Sequence, residues 1–197
     1  MSAFRPALIA VFAAALTMSP VDRARPYVTS GTSWSTNMNM QLQLGSSGAL
    51  IDGAGSWGVV AEDALATWNL HMDRAHFTVT RDSTAPIALG NGLNNVFWAS
   101  TAYGKPFNDY ADPTQKGGTI IALTLWLARG STTVEADVMF NNTLQWNSYR
   151  GPLKLASSSA HLLDFHRVAL HEFGHDRTAP SQRLRSDGRG TDELEYE

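Results

Sequence analysis

Residues 164–175 read Asp164-Phe165-His166-Arg167-Val168-Ala169-Leu170-His171-Glu172-Phe173-Gly174-His175. Phe165, Ala169 and Phe173 recur at i, i+4 and i+8, the spacing of a helix with one apolar face. The pattern predicts a helix that starts near Asp164 as its N-cap and runs through His175. On such a helix His171 and His175 project from one side, about one turn apart. Two imidazoles in that arrangement suit one tetrahedral Zn²⁺ at about 2.0–2.1 Å each. Glu172 is too close in sequence to His171 to complete the same ligand face. It is placed to accept the proton of a water that the metal polarises. The apolar rear face predicts a sheet beneath the helix.

Upstream, the chain supplies that sheet. Residues 133–140, TVEADVMF, alternate: Val134, Ala136, Val138 and Phe140 are expected to face in, and Glu135, Asp137 and Met139 to face out. Residues 76–82 (HFTVTRD), 95–100 (NVFWAS) and 119–127 (TIIALTLWL) read as further strands, rich in β-branched and aromatic residues. Residues 57–70 carry Ala61, Ala64, Leu65 and Trp68 at i, i+3, i+4 and i+7. They predict an amphipathic helix with Ser56 as N-cap and Glu62 and Asp63 on its wet side. Residues 101–118 hold three Gly and two Pro and predict a long surface loop. The fold class is therefore α+β, a mixed sheet packed against two helices. His71, His76, His161 and His166 are expected to be surface or packing residues rather than ligands.

The 197 residues carry 15 Lys and Arg against 18 Asp and Glu, a net charge of −3, with no basic cluster. This argues against a nucleic-acid binder. With no cysteine, thiol catalysis, disulfides and Cys-based metal sites are excluded, so any metal must be held by His and carboxylates. At the start, Arg5 precedes the uncharged run Ala7–Met18, which predicts a signal peptide over residues 1–25 and a secreted protein. No later run is apolar enough for a membrane anchor. Residues 176–197 differ in composition from the rest. Ten of these 22 residues are charged, and they show no apolar period, so they predict a disordered tail.

The helix DFHRVALHEFGH, preceded by EADVMFNNTLQWNSYRGPL, resembles the catalytic domain of bacterial matrixin-type metallopeptidases of the metzincin clan. The likeness spans about Trp34 to His175 and includes ALATWN and LNNVFW. It implies a twisted mixed sheet on two long helices, with the zinc motif on the second. It also implies zinc held by His171 and His175, Glu172 as general base, and a peptide or protein substrate laid along the edge strand near 119–127. In that family the motif continues as HExxHxxGxxH, with a methionine turn beneath the metal. Here Thr178 stands at the Gly position and Ser181 at the third His, and the last methionine is Met139. The C-terminal subdomain is thus expected to be absent, and a frameshift or misplaced gene end near residue 175 would account for the break. Glu195 lies 20 residues after His175, a spacing like that of the downstream glutamate in thermolysin-like enzymes, but it lacks the rigid helix that role needs.

Two functions follow. One is a secreted zinc metalloendopeptidase of this type. The other is a catalytically impaired domain that at most binds zinc, which the missing third histidine favours.

Overall fold

The computed structural model describes residues 33–72, 75–110, 119–152, 154–155, 161–178, 183–186 and 192–195. Residues 1–25, read as a signal peptide, lie outside them, as do Ser181 and Glu195's neighbour Tyr196. Among the described residues no helix is long and apolar enough to cross a membrane.

The elements run β1 (Met38–Gln43), α1 (Trp57–Asn69), β2 (Phe77–Thr80), β3 (Asn94–Ala99), β4 (Ala122–Arg129) and β5 (Thr132–Asn141). There follow β6 (Trp146–Asn147), β7 (Lys154–Leu155), β8 (His161–Asp164) and α2 (Phe165–Thr178). A 3₁₀ turn at Phe107–Tyr110 lies in the expected loop. Five strands form one mixed sheet in the order β2-β1-β3-β5-β4. The pairs β1–β2, β1–β3 and β3–β5 are parallel, and β4 closes one edge antiparallel to β5, with a bulge at Leu127/Ala128. β8 is flanked by β6 and β7 in a small second sheet that leads into α2. The architecture is α+β, with helices of 13 and 14 residues, close to the usual length rather than long. In the tail, β9 (Arg183–Ser186) and β10 (Asp192–Glu195) pair as an antiparallel hairpin. The rest of residues 179–197 lies outside the described residues.

Both helices lie on one face. Met38, Met40 and Leu42 of β1, Val96 of β3 and Val138 and Phe140 of β5 are buried there against Val60, Ala64 and Leu65 of α1 and Phe165, Ala169 and Phe173 of α2. The predicted apolar faces of both helices are thus the ones that pack. Ser56 caps α1, its hydroxyl accepting the N–H of Val59 at 3.2 Å. Trp98 joins Trp57, Phe140, Trp146 and Phe165 in an aromatic cluster with ring centroids 4.7–6.2 Å apart, the range in which edge-on and tilted pairs attract.

The alternation expected in residues 133–140 is corrected by the structure. Glu135, Asp137 and Met139 do not face solvent: they are 1%, 0% and 0% exposed, whereas Val134 is exposed. β5 lies between β3 and β4, and the opposite face of the sheet is itself covered, so the strand is buried on both sides. Met139 packs there with Phe97, Leu125, Ala102 and Phe107. Glu135 accepts the Gly90 N–H at 2.6 Å and also that of Gly92, two glycines at positive φ. Asp137 accepts the Asn95 N–H at 2.7 Å and the Tyr103 hydroxyl at 2.5 Å.

Candidate metal centre

The site is built on the middle of α2. Phe173 and Ala169, fully buried on the sheet, fix the helix's rotation, and this turns His171 and His175 to the opposite, more open side. A second restraint comes from α1. Trp68 donates its indole N–H to the Leu170 carbonyl at 2.7 Å. Its ring lies so close to Gly174 that a Cβ built there would stand 2.7 Å from the indole. Glycine is a poor helix former, by about 1 kcal/mol relative to alanine, so its use here follows from this close approach.

His171 and His175 present their Nε2 atoms to one another at 3.0 Å, with ring planes 86° apart. An ion bound tetrahedrally at 2.0–2.1 Å needs its nitrogens about 3.3 Å apart, so the pair fits zinc with a shift of a few tenths of an ångström. Burial and the neighbouring His171 both hold the His175 imidazole below its ordinary pKa, which favours the neutral, ligating form. Glu172 is only 6% exposed. Its Oε2 accepts the Thr124 hydroxyl of β4 at 2.8 Å. Burial pushes the Glu172 carboxyl up to about 7, against the opposing effect of that hydrogen bond. A carboxylate tuned near neutrality suits a general base.

The donor atoms of His171, Glu172 and His175 all lie within 4.8 Å of one another, and this is the one such cluster among the described residues. The three residues read from the sequence therefore come together. His166 belongs elsewhere: its Nε2 is 3.3 Å from Asp63 Oδ2, within ion-pair distance but without hydrogen-bond geometry. His71 and His76 lie at the far end of α1 and the entry to β2, and the His161 side chain is outside the described residues. Asp164, expected as the cap of α2, is buried, and its Oδ1 accepts the Tyr149 N–H at 3.2 Å. Thr124 is the site residue that the sequence reading passed over. Its only signal is a hydroxyl in the middle of the apolar run Ile120–Leu127.

No family model, curated protein or solved structure matches this chain.

Proposed function

We propose that this chain is a zinc-binding domain of the matrixin type, in which His171 and His175 hold the metal and Glu172 serves as the base for peptide-bond hydrolysis. The observation that carries the reading is the pair of Nε2 atoms 3.0 Å apart beside a buried carboxylate. Zinc, when bound, supplies Lewis acidity, lowering the pKa of water toward 7 and polarising a carbonyl. The chain's own residues do the rest. Glu172 takes a proton and later returns it to the departing amine. Thr124 holds the carboxylate in place. β4, at the sheet edge beside α2, offers backbone N–H and C=O groups to an extended peptide or protein substrate. The signal-like Arg5 and Ala7–Met18 support a secreted protein.

A second reading rests on Thr178 and Ser181, which stand where the resemblance expects Gly and the third His. Two imidazoles leave an ion without a fixed third protein ligand, and a misplacement of about 1 Å in the reacting atoms can cost about 10²-fold in rate. On this reading the chain binds zinc and hydrolyses peptides slowly or not at all.

Calorimetric titration of the full chain with Zn²⁺, beside His171→Ala and Glu172→Ala, tests the metal site. The expected result is binding that is lost in His171→Ala and kept in Glu172→Ala. Equal binding by all three proteins would remove the site. A peptide-hydrolysis assay on the same samples then separates the two readings. Turnover at ordinary metallopeptidase rates that vanishes in Glu172→Ala supports the endopeptidase, and no turnover in any sample supports the impaired domain.

A further inference from the structure

Thr124 sits on the helix-facing side of β4, between Ala122 and Trp126, and is 8% exposed. A hydroxyl buried on an otherwise apolar face is costly unless it is hydrogen-bonded. Both of its contacts are made to one residue: Oγ1 lies 2.8 Å from Glu172 Oε2 and 3.2 Å from the Glu172 carbonyl oxygen. The one hydroxyl proton goes to Oε2, the nearer acceptor, with the Glu172 carbonyl oxygen close by, and this fixes the direction of the carboxylate relative to β4.

That direction matters because of distance. Donors on one zinc or cobalt ion, at bonds of about 2.0–2.2 Å, are never more than about 4.4 Å apart. The His171, Glu172 and His175 donor atoms fall within 4.8 Å of one another, with the two imidazole nitrogens 3.0 Å apart, so the Glu172 carboxylate lies close enough to the pair for its orientation to matter.

We propose that Thr124 is a positioning residue that tethers the Glu172 carboxylate to β4, and so holds it beside the metal as a base and away from it as a third ligand. The inference rests on the metal-site reading given above. Once the tether is removed, the buried carboxylate has lost its partner and gains one by turning to the ion.

The test is titration of the full chain with Co²⁺ alone, followed by visible absorption. The series is wild type, Thr124→Val, Thr124→Ala, Thr124→Ser, Thr124→Val with Glu172→Gln, and His171→Ala. A hydrogen bond to a charged group is worth enough to shift affinity by about ten-fold or more. Thr124→Val and Thr124→Ala are therefore expected to bind Co²⁺ at least about ten-fold more tightly than wild type, with a changed ligand-field spectrum. Thr124→Ser should match wild type, and Glu172→Gln should erase the gain. Thr124→Ala stands in if the valine variant does not fold. Equal or weaker Co²⁺ binding by both deletions, with His171→Ala still defective, overturns the tether and leaves the metal site standing. Failure of wild type to bind Co²⁺, or binding by His171→Ala as tight as wild type, overturns the metal site and the tether with it.

Discussion

The two faces of the five-stranded sheet are closed by different physics. The helix face is apolar: Phe140, Phe165 and Phe173 are fully buried there, and the His171–His175 pair rides on the far side of the helix that they fix. The opposite face has its own apolar cluster around Met139, Phe97 and Leu125, and beside it two buried carboxylates from one strand. Glu135 and Asp137 reach from β5 to backbone N–H groups at Gly90, Gly92 and Asn95 and to the Tyr103 hydroxyl. No cation pairs with either in these contacts. Burial pushes Asp137 up to about 7, and the neighbouring Glu135 charge adds to the rise, while the bonds from Tyr103 and Asn95 oppose it. Both faces are therefore sensitive to lost volume, and the second is sensitive as well to lost hydrogen-bond partners and to protons.

The sharpest way to break that contrast is to delete volume on the helix face. Phe173→Ala is expected to cost about 3–5 kcal/mol, by lost transfer and a cavity beneath α2. Urea denaturation at fixed pH measures it, and a cost below 1 kcal/mol would mean that α2 is not seated as described. On the other face, Asp137→Ala removes little volume but orphans the Asn95 N–H and the Tyr103 hydroxyl, at about 1–3 kcal/mol for each buried donor. Asp137→Asn, which keeps an acceptor, should recover much of that loss in the same denaturation series. Gly174→Ala probes the helix face from the opposite direction, by overfilling it against Trp68. A loss of about 1–3 kcal/mol is expected, and a stabilised protein would show that the indole has room to move.

The most gradual effect is that of pH. Asp137 and Glu172 each have a folded-state pKa of about 7, above the ordinary carboxyl value, so each disfavours ionisation in the fold. Their contribution to stability is full below about pH 4, the unfolded pKa range, and is lost as pH rises through about 7. Without added metal, midpoints of unfolding should fall between pH 5 and pH 8. Asp137→Asn and Glu172→Gln should each flatten part of that slope, and the double variant most of it. A slope unchanged in both single variants would assign the pH dependence to other groups.

What could be read from the sequence follows from distance along the chain. His171, Glu172 and His175 lie within one turn, and the apolar period of each helix is local, so all of these were legible. Residues 38–43 also alternate, with Met38, Met40 and Leu42 in and Asn39, Gln41 and Gln43 out, yet β1 escaped notice. Methionine and the amides lack the β-branched and aromatic character by which the other strands were recognised. Glu135 and Asp137 were read as solvent-facing because a carboxylate in a strand usually is. Their partners lie 34 to 45 residues away, in β3 and in turns that no local pattern connects to β5. Thr124, separated by 48 residues from Glu172, was hidden for the same reason.

The contact between Trp68 and Leu170 spans 102 residues of chain. Closing so long a loop is entropically expensive, and it is repaid only when the helix face of the core forms as a whole. During synthesis α1 emerges long before residue 175, so its packing against α2 is completed only after α2 has emerged. The rotation and backing of the His171–His175 pair thus depend on a docking between segments remote in sequence. If the pair holds a metal as proposed, its affinity during refolding is expected to reach the final value only when α1 and α2 have docked.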